Sequence, residues 1–179
     1  MGTLTQTTPE IQTLLDHTDS KGWANYDDGT YTVGSPLSIT SAAGLVKLEC
    51  DGTGPNTVIS ELPPGVSALW DTTNDKIIGI KSGDAFDVRA DFKAKNDNIS
   101  GQMDVIFDIG DPSGIPITSR SVTFPKGSNT EITFSIGIPL FSMATFIANG
   151  CKIYLQSITG NTLIYDISVF IKKDYDGIG

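Results

Sequence analysis

Phe86-Asp87-Val88-Arg89-Ala90-Asp91-Phe92-Lys93-Ala94-Lys95 alternates without a break, with Phe86, Val88, Ala90, Phe92 and Ala94 on one side and five charged residues on the other. Successive side chains of a strand point to opposite faces, so this decapeptide is one dry and one wet face of a sheet. It sets the class as all-β.

Working outward, similar segments recur from Gly22 onward: Trp23 to Tyr26, Tyr31 to Val33, Leu37 to Thr40, Leu45 to Cys50, Val58 to Leu62, Lys76 to Ile80, Met103 to Ile109, Ile117 to Phe124, Ile132 to Ile138, Lys152 to Ser157 and Leu163 to Lys172. Turn residues punctuate them, among them Asp27-Asp28-Gly29, Asp51-Gly52-Thr53-Gly54, Pro63-Pro64-Gly65 and Thr159-Gly160-Asn161. No helical period beyond a turn or two interrupts the series. About eight longer strands with shorter accessory ones describe an antiparallel β-sandwich of jelly-roll type. An immunoglobulin-like sandwich is the second choice, since 179 residues exceed the roughly 100 usual for it and its Cys, Trp, Cys spacing is missing. No fixed-length repeat points to a solenoid or propeller.

Residues 1–21 read differently. Thr8-Pro9-Glu10 offers an N-cap, a proline at the first helical position and an early acid, followed by Ile11, Leu14 and Leu15. This predicts a short N-terminal helical arm with one apolar edge, ahead of a jelly-roll domain over residues 22–179. So short a helix is marginal in water alone and orders by docking, either on its own domain or on a neighbour.

Twenty-one acidic residues against 12 basic give a formal charge of −9. Such a surface repels phosphate backbones and anionic headgroups, so direct nucleic-acid and membrane partners are not expected. No apolar segment approaches the roughly 20 residues of a spanning helix. No cation precedes Lys21 and no apolar block resembles a secretory signal, so synthesis in a cytoplasm is expected, with Cys50 and Cys151 as free, partly buried thiols unless the fold brings them together to pair.

Few residues carry the spacing of a reactive site. The one histidine, His17, lies in the arm, outside any scaffold that would position a catalytic triad. No CxxC or HxxxH spacing suggests zinc. Glu61, Glu131, Asp104 and Asp108 are conceivable glycosidase acids, but nothing selects a facing pair, and Asp104 and Asp108 read as solvent-facing. The loop Asp71-Thr72-Thr73-Asn74-Asp75, or Asp108 with Asp111, offers oxygen ligands for calcium without the order of an EF-hand, and turn formation explains both equally well. No catalytic residue, cofactor or resident metal is assigned and no enzymatic activity is expected; a polysaccharide-degrading enzyme is a distant rival.

What stands out instead is apolar residues on faces that should be wet. In the last strand Leu163, Tyr165, Ile167, Val169 and Ile171 read as the inner face, leaving Ile164 and Phe170 outside with Asp166 and Ser168; Ile106 sits between Asp104 and Asp108 on the outer side of its own strand. Several exposed apolar residues on one sheet suggest a subunit interface. Together with Ile11, Leu14 and Leu15 of the arm, Ile106, Ile164 and Phe170 are the predicted interface. An alternative ligand surface uses Trp23, Tyr26 and Trp70, with Tyr31 nearby, as rings against a host glycan.

Several pieces read in order carry a resemblance: Asp16-His17-Thr18-Asp19-Ser20-Lys21-Gly22-Trp23, Ser35-Pro36-Leu37-Ser38-Ile39, Leu69-Trp70-Asp71, Gly83-Asp84 leading into Val88-Arg89-Ala90-Asp91-Phe92, Asp108-Ile109-Gly110, Phe124-Pro125-Lys126-Gly127, Thr145 to Ile153 and a closing hairpin into Asp166-Ile167-Ser168. From Asp16 to Lys173 the chain resembles small virion structural proteins of tailed bacteriophages, the jelly-roll domains of capsid decorations, head fibres and tail appendages. The resemblance implies a homotrimer in the virion whose N-terminal segment attaches it to the major capsid protein or another virion protein, made in the host cytoplasm and without an active site. A capsid decoration (cement) protein is the first expectation. A tail-fibre or appendage head that recognises a glycan is the alternative.

Overall fold

The computed structural model describes residues 21–110, 114–125 and 129–175. Among the described residues eleven strands and one short helix follow in order: β1 (Gly22–Asp27), β2 (Leu37–Ile39), β3 (Val46–Lys47), β4 (Trp70–Asp71), β5 (Lys76–Ile77), β6 (Ala85–Asn96), β7 (Gln102–Asp108), β8 (Pro116–Thr123), β9 (Ile132–Phe141), α1 (Ala144–Asn149), β10 (Lys152–Thr159) and β11 (Thr162–Tyr175). One sheet runs β1-β11-β6-β9, with β2 also on β11; the second runs β3-β10-β7-β8, and β4 and β5 form a separate hairpin. All the pairings are antiparallel. The chain passes from sheet to sheet at β2/β3, β6/β7, β8/β9, β9/β10 and β10/β11, which is jelly-roll connectivity. The predicted arm, with Ile11, Leu14, Leu15 and His17, lies outside the described residues.

The opening decapeptide behaves as its alternation dictates. Phe86, Val88, Ala90, Phe92 and Ala94 are buried, and β6 pairs without a slip from Ala85↔Phe141 to Ala94↔Ile132. Opposite them the second sheet contributes Met103, Val105, Phe107, Ile153 and Leu155, all fully buried. Each such side chain removed from water stabilises by about 1.5–3 kcal/mol, as an upper bound. α1 adds Phe146, whose ring meets Phe86 edge-on at 5.9 Å. The helix stops at Gly150, where φ is +76° and a Cβ would sit 2.6 Å from the Ile77 carbonyl oxygen, so two constraints require glycine.

The last strand departs from its predicted phase. Its pairing on β6 jumps from Tyr165↔Lys93 to Ser168↔Asp91, one residue more on β11 than on β6, with Asp166 at φ +51°. This β-bulge reverses the alternation N-terminal to it. Ile164 therefore points inward and is 0% exposed, which corrects its expected place on an outer face; Tyr165 takes the outer side. Two shorter predicted strands shrink to isolated bridges, Thr32↔Ser35 and Asn25↔Val58, and β4 and α1 are not foreseen.

Two polar features fix the ends and edges. Lys173 and Asp84 form an ion pair at 3.5 Å with side chains 4% and 0% exposed. In the 27–57 loops Asp51 accepts the amides of Gly29 and Thr53 at 2.9 Å and the Thr30 hydroxyl at 2.8 Å. Burial by itself would raise its pKa, but these donors outweigh it and hold the carboxyl at about 2. Cys50 and Cys151 are free and buried, and desolvation pushes both thiols up to about 12.

Three measurements follow from these contacts. Asp84→Ala removes the carboxylate from a buried ammonium and is expected to cost about 3–5 kcal/mol by denaturant unfolding, whereas Asp84→Leu with Lys173→Met together costs less than either alone. Asp51 has a folded pKa below its unfolded value of about 3.9, so its stabilisation is complete above that value and is lost as pH falls toward 2; the stability gap between wild type and Asp51→Asn should close over that window. Native protein at pH 8 should be inert to a thiol-reactive chromogen and should titrate two thiols once unfolded.

Candidate functional site at the open edge of the sandwich

β8 and β9 are the edge strands of their sheets on the same side of the sandwich. Across from Met103, Val105 and Phe107 of β7 stand Val122, Arg120 and Thr118 of β8. One small, one medium and one charged side chain cannot roof the facing row on β9. Ile132, Phe134 and Ile136 consequently stay half-buried, although they share the inner face with the buried Ile138 and Leu140.

Where the two edges part, a cleft of about 420 Å³ opens, lined by Ile109, Ile117, Arg120, Leu140, Phe141 and Met143 among others. Phe141 is 67% and Met143 62% exposed, with Ile115 and Ile117 also exposed beside them. Among the described residues Arg120 has no ion-pair partner.

A second depression of about 330 Å³ lies on the other side of β9, over the outer face of the first sheet. Gly137 forms its floor, and Pro139, Phe170, Arg89, Asp87 and Lys172 line it. Phe170 is the predicted interface residue that does reach this face. Trp23 packs on it with ring centroids 5.7 Å apart, and the Arg89 guanidinium lies 5.1 Å from its ring centre. Arg89 is already paired with Asp91 at 2.8 Å and Lys172 with Asp174 at 2.5 Å. Asp87 has Asp174 as its hydrogen-bonded neighbour, which raises its pKa first of all through that contact and then through desolvation. Lys172 holds the Asp174 carboxyl below its ordinary pKa through their hydrogen bond and the Lys21 ammonium adds to this, so two ammonium groups meet the two carboxylates there. Both depressions share Ile138 and Pro139, so β9 separates two adjoining apolar surfaces.

The other expected residues disperse. Ile106 is half-buried on the outer face of the second sheet, between Tyr154 and Ser119, and does not join Phe170. Of the glycan set, Trp70 is 1% exposed with its Nε1 donating to the Cys50 carbonyl at 2.9 Å, and Tyr26 is buried with its hydroxyl accepting the Leu69 amide at 2.9 Å. Only Trp23 is left at the surface, so these three rings form no common platform.

The acids do not converge either. Glu131 accepts the Tyr165 hydroxyl beside Lys95 and Lys93, Asp104 accepts the Ser121 hydroxyl at 2.6 Å, and Glu61 is an exposed loop residue. Asp108 is buried rather than solvent-facing, because its Oδ1 accepts the amides of Gly110 at 2.7 Å and Ile115 at 2.9 Å and so closes the β7–β8 turn. Asp71 likewise accepts the amides of Thr73 and Asn74 at 3.0 Å, and Asp111 lies outside the described residues. Among the described residues no group of three metal-capable side chains occurs, and no helix is long and apolar enough to cross a membrane.

No family model matches the chain, and no curated protein does. Solved structures resemble it to different degrees. A TNF, Eiger, from S. frugiperda superposes with a TM-score of 0.55 at 11% identity over 89% of this chain and 96% of its own. The PRD1 vertex protein P5 gives 0.43 at 17% identity over 87% and 72%, and the C-terminal CBM6 of LamC from Zobellia galactanivorans gives 0.33 at 13% identity over 76% and 98%. The first of these agrees with the strand order in identifying an antiparallel β-sandwich of jelly-roll type.

Proposed function

We propose that this chain is a structural protein of a tailed-bacteriophage particle, a capsid decoration protein that acts as a homotrimer and performs no catalysis. Its arm, residues 1–21, attaches it to the major capsid protein or another virion protein after synthesis in the host cytoplasm. The observation that carries the reading is the bare apolar edge between β8 and β9, continuous around Ile138 and Pro139 with a second apolar depression, on a sandwich whose Asp108 and Asp71 are spent on turns. Surfaces are what this molecule offers. The sequence resemblance to virion jelly rolls supports the setting, and multivalent attachment makes weak individual contacts sufficient. The tail-fibre alternative drew on Trp23, Tyr26 and Trp70, and the burial of two of these rings weakens it.

Purified particles provide the test. Hundreds of copies per virion are expected, and removal of residues 1–21 should abolish occupancy while β1 to β11 stay folded by circular dichroism. A handful of copies would transfer the protein to the tail, and none at all would falsify the virion reading.

A further inference from the structure

The depression over Gly137 lies at the end of a path that begins where the arm joins the sheet. Cross-strand pairing sets Trp23, Lys172, Asp87 and Pro139 in one row across β1, β11, β6 and β9, and Asn25, Phe170, Arg89 and Gly137 in the next row on the same face. A third hollow, of about 340 Å³, surrounds the start of β1 between Lys21, Trp23 and Glu61, and shares Lys172 with the depression. Lys21, with which the arm ends, therefore stands at the rim of this surface. The face is balanced in charge, since Lys21 and Lys172 meet Asp87 and Asp174, and Arg89 is paired with Asp91. What it offers an occupant is apolar surface.

We infer that the apolar edge of the arm, Ile11, Leu14 and Leu15, docks on the outer face of the first sheet of its own copy, over Phe170, Pro139 and the glycine floor at 137. Residues 1–20 lie outside the described residues and join them at Lys21. Ile11, Leu14 and Leu15 stand at i, i+3 and i+4, the spacing of one helical stripe, and no Lys or Arg precedes Lys21. Such a segment brings apolar side chains and needs no ion pair, which is what a balanced apolar hollow accepts. The reach is sufficient. Leu15 is six residues from Lys21, about 20 Å of extended chain, whereas β1 and β9 are three strand spacings apart, about 14 Å. So short a tether gives the same copy an effective concentration of about millimolar, which selects it over a second copy. A short helix that is marginal in water gains from this seat the apolar support it lacks. The inference goes beyond the reading above: attachment to a virion protein is the arm's destination on the particle, whereas this seat is its place in the free chain, and the two compete for one apolar edge.

Hydrogen–deuterium exchange of the free full chain, followed at two concentrations, tests the contact. In wild type the amides of residues 11–16 are expected to exchange about tenfold or more slowly than an unprotected chain, equally at both concentrations. Gly137→Leu, which fills the depression, and Phe170→Ser, which removes its aromatic wall, should each abolish that protection while β6, β9 and β11 stay protected. Leu14→Asp with Leu15→Asp should do the same from the arm. Gly137 tolerates a side chain in the folded sheet, since a Cβ there has its nearest neighbour, the Val88 carbonyl oxygen, at 3.4 Å. Three results would each overturn the inference: an arm that exchanges without protection in wild type, protection that survives both changes on the face and so belongs to another seat, or protection lost on dilution and so supplied by a second copy. Its fate is separable from that of the virion reading. An unprotected arm on a protein abundant in purified particles removes the seat alone, whereas a protected arm released by these changes, on a protein absent from particles, removes the virion role alone.

Discussion

The pairing of β6 with β11 is the constraint from which the rest of the sandwich is built. These two long strands sit at the centre of the first sheet, and every residue on their inner faces must find a partner in the second sheet or leave the core unfilled. Because the side-chain period is two, a single extra residue exchanges inside for outside. Asp166 supplies that residue. Its amide donates to the Tyr31 carbonyl at 3.0 Å and its carboxylate pairs with Lys93 at 2.9 Å, so the bulge is held from both sides. The exchange brings Ile164 into the core and also brings in Thr162, whose hydroxyl accepts from Asn96 at 2.9 Å and bonds Ser157 at 2.9 Å. Without the bulge the Asn96 amide would lose its Thr162 partner and keep the Thr159 carbonyl, which it also reaches at 3.0 Å.

The long strands are legible in the sequence because their alternation is local information. Phe86 to Ala94 and Met103 to Phe107 need no knowledge of the fold to be read as inner faces. The phase of Thr162 to Tyr165 is not legible in this way. A bulge at an aspartate leaves no compositional mark, and the run Leu163-Ile164-Tyr165 fits either phase. Trp70 shows a different limit. An aromatic at a strand end is more commonly packed at the core edge than presented as a surface platform, but what decides is the remote carbonyl of Cys50, which satisfies the indole N–H and makes burial cheap. Asp108 does carry a local sign, the following Ile109-Gly110 of an aspartate-led turn, and that sign outweighs its place in an alternating strand.

The apolar edge was hidden for a topological reason. β8 and β9 belong to different sheets and face each other only after both have formed, so no window of sequence contains the cleft. One signal does exist. Counting inward from Val122 in steps of two gives Arg120 and Thr118, a row too polar and too small to cover Phe134 and Ile136.

The two open sides of the sandwich are treated unequally, and the difference argues for what the bare side is for. Along β1, the chain from Val58 to Glu61 runs beside the strand, with the Trp23 amide donating to the Glu61 carbonyl at 2.7 Å, and the long segment between β3 and β6 buries Leu48, Leu69 and Trp70. That edge is covered by the chain's own loops. Among the described residues nothing comparable crosses β8 and β9, where Phe141 and Met143 stand largely in water. Exposed strand edges invite indiscriminate pairing, and this one is guarded by Pro116, by Pro139 and by an arginine turned toward the inside. Such guards block addition of a strand but leave the apolar side chains free to pack. A surface that is closed to ladder formation and open to side-chain contact is selective for a shaped partner.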